Sequence, residues 1–166
     1  MKTIAAIVLL LCCAFGQDKA AVSAAEAACG PHDTEFQATP DDSQHPTPMP
    51  ENNKALIYVV ERAPGVMKFG ADGKWLGALK PGTYFFASME PGEHHLCVTG
   101  HSLYGIYPLW KGLSLHALDA KAGETYYFFV RVVAGGGYNE LALSHVDADM
   151  GKELVARAKF IASHPK

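Results

Sequence analysis

The hydrophobic residues of this chain recur in short runs, and turn-forming residues separate the runs. From Lys54 onward the runs are rich in β-branched and aromatic side chains and end near Pro-Gly, Asp-Gly or Gly-rich sequences. The turn signals come about every eight to twelve residues, a spacing typical of a sandwich or barrel. The pattern predicts an all-β fold, an antiparallel β-sandwich of about eight short strands. These strands begin near Ala55, Val66, Lys74, Thr83, Glu93, Leu113, Thr125 and Glu140.

Two local signals refine this prediction. Asp72-Gly73 is expected to form a tight hairpin, because both central residues of a type I′ turn need positive φ. Near the end of the sequence, apolar residues from Met150 to Ile161 recur at steps of three and four, and the acids Asp147 and Asp149 precede them. We therefore expect one C-terminal α-helix packed on the sheets.

The first residues have the pattern of an export signal. Lys2 precedes an apolar run from Ile4 to Phe15. A helix of that length rises only about 18 Å, too little to cross a hydrocarbon core of roughly 30 Å. Small residues follow the run, as they do at a signal cleavage site. We predict a signal peptide at residues 1–16, with cleavage possible up to residue 28. The mature protein is then periplasmic or extracellular, without a transmembrane helix.

Residues 17–53 differ in composition from the rest of the chain. This stretch holds one lysine against seven acidic residues, and Pro31 to Pro50 contains five of the ten prolines. Proline fixes φ and removes a backbone donor, so we expect an extended, poorly packed acidic tail without a helix or central strand. Residues 54–166 form the predicted sandwich domain with its helix, and they are nearly neutral. The net charge of −3 gives no electrostatic support to a nucleic-acid partner.

The cysteines matter because of the predicted compartment. Cys12 and Cys13 would leave with the signal peptide, and the mature chain would keep Cys29 and Cys97. An even pair in an oxidising compartment favours one disulfide, Cys29–Cys97. The alternative leaves Cys97 as a buried free thiol and Cys29 lipidated or paired between chains. Lipidation is the less favoured alternative, because Glu26 and other polar residues separate Cys29 from the apolar run.

Several turn-and-strand motifs between Lys54 and Lys152 resemble a known family. They are Asp72–Gly77, Gly82–Phe86, Pro91–Cys97, Ala122–Tyr127 and Val146–Lys152. In these motifs the chain resembles the bacterial exported family known as domain of unknown function 2846. The resemblance implies an antiparallel sandwich, export and no assigned activity. The Asp-Gly-Lys hairpin and the Pro-Gly-Glu-His turn are also similar, more weakly, to PEGA-type surface domains.

The sequence carries no recognisable catalytic motif. It contains no G-x-S-x-G, no H-E-x-x-H and no P-loop, and its serines have ordinary neighbours. We therefore expect a protein that is not an enzyme and that needs no cofactor; a hydrolase is the least supported function class.

Histidines suggest an alternative function, a periplasmic His-based metal-binding protein. His94, His95, Cys97 and His101 fall within eight residues, and imidazoles suit zinc or copper. Adjacent residues of a strand point to opposite faces, so His95 and His101 share a face that His94 does not. Cys97 could complete such a site only as a free thiolate, which conflicts with the disulfide.

An aromatic connection offers candidate binding residues. Tyr104, Tyr107 and Trp110 lie between two predicted strands, in a long connection of the kind that is often functional. Exposed tyrosine and tryptophan rings suit sugar faces or protein contacts. The alternative is that the connection folds back and caps one end of the sandwich. The sequence thus favours a non-enzymatic exported envelope domain, binding or structural in role, whose partner is an envelope protein or a glycan.

Overall fold

A computed structural model describes residues 28–31, 33–101, 112–135 and 138–166. The predicted signal peptide lies outside these residues. Within them the chain forms ten strands and one helix. They are β1 (Phe36–Asp41), β2 (Ala55–Glu61), β3 (Val66–Ala71), β4 (Lys74–Leu79), β5 (Thr83–Met89), β6 (Gly92–His101), β7 (Leu113–Ala120), β8 (Thr125–Gly135), β9 (Tyr138–Val146), α1 (Ala148–Arg157) and β10 (Lys159–Pro165).

The strands form two sheets packed face to face. One sheet has six strands in the order β1-β10-β5-β2-β8-β9, and the other has four in the order β4-β3-β6-β7. The predicted all-β sandwich with one helix near the C-terminus is confirmed. The six-stranded sheet is mixed, however, since β10 pairs with β5 and β2 pairs with β8 in parallel. Between β2 and β8 the chain forms β3 and β4, and later β6 and β7, in the four-stranded sheet. These strands belong to the long crossover connection that two parallel strands need.

Strand β2 is the centre of the core because it is buried on both faces. Its inner face, which includes Ile57 and Val59, packs with Phe69 and Phe128 between the two sheets. Its outer face packs in a second cluster against the helix. A strand covered on both sides reads as a continuous apolar run, which is why Ala55–Glu61 shows no alternation. The domain therefore has three layers: the four-stranded sheet, the six-stranded sheet and the outer cover.

The Asp72-Gly73 hairpin joins β3 to β4 as predicted. Asp72 has φ 50° and Gly73 has φ 76°, so both central residues occupy the left-handed region. Glycine adopts this conformation without strain, and aspartate tolerates it better than most residues. The turn places the Asp72 side chain beside β6.

Asp147 caps the N-terminus of helix α1, and its carboxylate accepts hydrogen bonds from the amides of Asp149 (3.0 Å) and Met150 (2.9 Å). Gly151 brings the helix close to the sheet, because a Cβ at this position would lie 2.1 Å from Cγ of Tyr127. The helix ends at Arg157, earlier than the apolar spacing indicates. Ile161, which fits the helical spacing of apolar residues, lies in strand β10 instead.

The stretch expected to be a poorly packed tail is extended, and its backbone is hydrogen-bonded to both sheets although most of its side chains are exposed. We call residues 28–50 the strap, because they cross the outer face of each sheet in turn. The strap includes the edge strand β1, which pairs antiparallel with β10 and contains Pro40. Proline is tolerated in an edge strand, because one side of an edge strand forms no hydrogen bonds with a neighbouring strand. The folded unit therefore extends upstream of Lys54.

Beyond β1 the strap covers the outer face of the six-stranded sheet. The hydroxyl of Tyr58 donates to the carbonyl of Pro48 (2.8 Å), and that of Tyr84 donates to the carbonyl of Pro46 (3.0 Å). Burial raises the pKa of both tyrosines to about 12, so both remain protonated donors at neutral pH. These bonds satisfy two buried hydroxyls and hold proline-rich backbone that has few amides of its own.

Candidate functional site

A disulfide fixes the start of the strap to the four-stranded sheet. Cys29 and Cys97 are bonded, with Cα atoms 5.4 Å apart, as predicted from the sequence. Both are buried, at 3% and 0% exposure, on the outer face of β6. The amide of Gly73 donates to the carbonyl of Ala28 (2.7 Å), so the hairpin turn grips the strap next to the disulfide. The bond therefore attaches the strap to the sheet instead of joining two core strands.

An indole and an ammonium group hold the next part of the strap. The Nε1 of Trp75 donates to the carbonyl of Pro31 (2.7 Å). The Nζ of Lys68 lies 4.6 Å from the centre of the Trp75 ring and donates to the carbonyl of Thr34 (3.2 Å). Burial lowers the pKa of Lys68, and Asp33 opposes that effect. Lys68 is thus a cation engaged on three sides by the strap and by an aromatic face.

A cavity of about 490 Å³ opens where the strap leaves the four-stranded sheet, and we call it the strap groove. Phe36 and Val66 provide its apolar surface, while charged groups of both signs line the rest. At its rim the ammonium of Lys166 pairs with Glu35 at 3.0 Å. Its volume falls within the range of small-ligand sites. The full lining comprises Asp33, Thr34, Glu35, Phe36, Val66, Lys68, Thr99, Gly100 and Lys166.

The aromatic candidates are not described by the structure. Tyr104, Tyr107 and Trp110 lie outside the described residues, in the connection between β6 and β7. Residues at the end of β6 line the strap groove, however, since Thr99 and Gly100 contribute to it. The described end of β6 therefore lies at the groove.

His94 has a structural role in the hairpin region. Its Nδ1 lies 2.5 Å from the Asp72 carboxylate, and its Nε2 lies 2.7 Å from the Glu90 carbonyl. Burial lowers the pKa of His94, but the bonds to Asp72 and Glu90 outweigh burial and raise it overall. Conversely, burial raises the pKa of Asp72, and the bonds from His94 and His95 more than reverse that effect. Both ring nitrogens of His94 are engaged, so this imidazole is not free to bind a metal ion.

The structure does not bring the predicted metal ligands together. His95 is exposed on β6, and its amide donates to Asp72 (2.8 Å). His101 ends the same strand, six residues later. An extended strand rises about 3.3 Å per residue, which separates these two backbones by roughly 20 Å, too far for a shared ion. Cys97 is bonded to Cys29. Within the described residues, no group of three or more His, Cys, Asp and Glu side chains is placed to hold a metal ion.

A different histidine pair meets at one side of the sandwich. His116 on β7 and His145 on β9 lie with their ring centroids 6.2 Å apart. His116 shares the inner face of its strand with the buried Leu118. His145 shares the inner face of its strand with the buried Leu143. The sequence does not show that the two strands border the same side of the two sheets.

Glu61 is the other feature that the sequence interpretation missed. Its side chain is fully buried at the end of β2, on the same face as Ile57 and Val59. Among the residues that the structure describes, neither carboxyl oxygen has a hydrogen-bond partner. Burial raises the pKa of this carboxyl to about 8, against a smaller opposing effect of the Ala63 amide. The folded protein therefore keeps Glu61 protonated at neutral pH.

The chain matches none of the protein-family models, curated proteins or solved structures with which it was compared. Across the residues that the structure describes, no helix is long and apolar enough to cross a membrane. Helix α1, with ten residues, rises only about 15 Å.

Proposed function

We propose that this chain is an exported, non-enzymatic domain of the bacterial cell envelope that binds a partner at the strap groove. The observation that carries the proposal is the buried Cys29–Cys97 disulfide, which holds the strap over the four-stranded sheet and so shapes the groove. Disulfides persist in oxidising compartments, in agreement with the apolar N-terminal run. The resemblance of Lys54–Lys152 to an exported bacterial family also supports this assignment.

The chemistry of the groove favours binding over catalysis. Its charged side chains are already engaged with each other or with the strap, as Lys166 is with Glu35 and Lys68 is with Thr34. Among the described lining residues there is no histidine or cysteine to act as a base or a nucleophile. An apolar surface between charged groups suits an extended peptide or the face of a sugar ring. The partner class is therefore an envelope protein or a glycan.

Export is tested by expressing the full chain and a chain lacking residues 2–16 in a bacterial host. We expect the full chain outside the cytoplasm, with a mature N-terminus between Gln17 and Cys29 in mass spectrometry. The shortened chain should remain in the cytosol. Full-length, unprocessed protein in the cytosol would overturn the proposed export.

Binding is tested with two separate probes, purified peptidoglycan sacculi and solubilised envelope proteins. Thr99→Trp fills the groove, whereas Ala117→Trp adds the same ring to an exposed position on the same face of the sheet. We expect Thr99→Trp to weaken capture of one probe at least tenfold and Ala117→Trp to leave it unchanged. Equal capture by both variants would show that the groove is not the binding site. Sacculi and envelope proteins distinguish a glycan partner from a protein partner.

A further inference from the structure

Strands β7 and β9 border the same side of the sandwich, one in each sheet. The hydroxyl of Ser114 on β7 accepts a hydrogen bond from the Leu143 amide on β9 (3.0 Å), which fixes the two strands relative to each other. Two residues further along each strand, His116 and His145 again lie on the inner faces. Because side chains two residues apart on a strand point to the same face, the two imidazoles meet between the sheets as Ser114 and Leu143 do.

The two rings face each other over an aromatic base. Their centroids are 6.2 Å apart with 50° between the ring planes. Phe128 lies beneath both, 5.1 Å from His116 and 5.4 Å from His145, and Tyr126 borders His145 at 5.9 Å. His145 is exposed and His116 is half-buried, so the pair is open to solvent on one side. In the described part of the chain, neither imidazole has a hydrogen-bond partner.

This separation matches that of two imidazoles on one metal ion. A ligating nitrogen lies about 2.0–2.1 Å from zinc, so each ring centroid lies about 3.2 Å from the ion. Two ligating rings are then separated by about 5 Å at a tetrahedral angle and by about 6.4 Å when they oppose each other.

We propose that His116 and His145 form a two-imidazole site that binds a divalent transition metal ion and joins β7 to β9. Imidazole nitrogens suit copper, nickel and zinc, and copper(II) binds most tightly among them in most nitrogen sites. Two protein ligands leave coordination positions for water or for a small exogenous ligand. The site lies apart from the strap groove, so it does not depend on the function proposed above.

The experiment is a calorimetric titration of the metal-free mature protein with copper(II) and with zinc at pH 7.5. We compare the native chain with His116→Gln and His145→Gln, and with His95→Gln and His164→Gln as exposed controls on other strands. Each of the first pair should weaken copper(II) binding at least tenfold, and the controls should change it less than twofold. Copper(II) should also raise the melting temperature of the native chain but not of either site variant, because the ion joins two strands only in the folded state.

Electron paramagnetic resonance gives an independent measure. The bound copper(II) should show coupling to two imidazole nitrogens in the native chain and to one in His145→Gln. Since His145 is exposed, its variant remains informative even where His116→Gln fails to fold. Binding that survives both substitutions, or that is lost only in His95→Gln, would overturn the proposal. The absence of any copper(II) binding at micromolar concentrations would also overturn it.

Discussion

The hydroxyl of Ser114 accepts a hydrogen bond of 3.0 Å from the backbone amide of Leu143, and the two residues belong to opposite sheets. The other side of the sandwich has the same device, since the Ser163 hydroxyl accepts from the Ala78 amide at 3.0 Å. In both cases a serine of one sheet pairs with the amide of an edge strand in the other. Unpaired edge amides invite association with other chains, and these two bonds occupy one such amide on each side.

Removal of either serine hydroxyl should therefore destabilise the domain more than an ordinary surface change. We expect Ser114→Ala and Ser163→Ala each to lower the free energy of unfolding by about 1–3 kcal/mol, because a part-buried amide loses its acceptor. Urea denaturation measures the change. Ser88→Ala is the matched control, since Ser88 is exposed. A loss at Ser163 no larger than the loss at Ser88 would contradict the assigned role.

The buried carboxyl of Glu61 should make stability depend on pH. Its pKa is about 8 in the folded protein and returns to about 4.5 on unfolding, so the folded state holds an extra proton between these values. The free energy of unfolding is then highest at acidic pH and falls by up to roughly 1.4 kcal/mol per pH unit as the pH rises from about 4.5 to 8. Urea denaturation at pH 5, 6, 7 and 8 measures this slope.

Substitution of Glu61 by Gln removes the titrating group and keeps the shape. Glu61→Gln should remove most of the slope between pH 5 and pH 8, leaving the smaller contributions of His94 and His116, and should be more stable than the native chain at pH 8. Glu93→Gln, at an exposed position of β6, should retain the native slope. A native profile that is flat over this range would show that the carboxyl is not held protonated.

Gly151 should tolerate no side chain, although it lies in a helix. Alanine favours helices over glycine by about 1 kcal/mol, so the local propensity predicts stabilisation. The added Cβ would lie 2.1 Å from Cγ of Tyr127, however, and overpacking typically costs about 1–3 kcal/mol. We expect Gly151→Ala to lower the melting temperature. Lys152→Ala, exposed on the same helix, is the control and should leave it nearly unchanged.

Loss of the disulfide should free the start of the strap before it unfolds the core. The bond spans 68 residues, for which the chain-entropy estimate gives a stabilisation of at most about 4 kcal/mol. In Cys29→Ser/Cys97→Ser the Gly73 amide, which donates to Ala28, should exchange with deuterium much faster. Amides of β2 should remain protected. The mature native protein should be lighter than its reduced form by two hydrogen atoms, and two freely alkylated thiols in it would contradict the bond.

Local signals made much of the fold predictable. All eight predicted strands exist, and the Asp72-Gly73 turn follows from the backbone requirement of its type. Strands β1 and β10 were missed, since Pro40 disguises the first and Ile161 fits a helical spacing in the second. These two strands are defined by the strands they pair with more than by their own residues. The parallel pairings of β10 with β5 and of β2 with β8 join strands far apart in the sequence, so no short sequence pattern predicts them.

The sites were less predictable, because they depend on which strands meet. The Cys29–Cys97 pair was predictable because only two cysteines remain after the predicted signal peptide, and the structure contains that bond. The burial of Glu61 could have been found from its place at the end of the continuous apolar run of β2, which is typical of a strand buried on both faces. The meeting of His116 with His145 could not, since it requires the order of strands in both sheets.

Strand β1 lies at the edge of its sheet, and among the described strands it pairs only with β10, which is far from it in the sequence. Contacts between the two ends of a chain are the slowest to form, because closing so long a loop loses the most entropy before any pairing offsets it. During synthesis the strap is made before β10 and stays without this strand partner until β10 is available. The six-stranded sheet is therefore completed only after the whole stretch from β1 to β10 has been made.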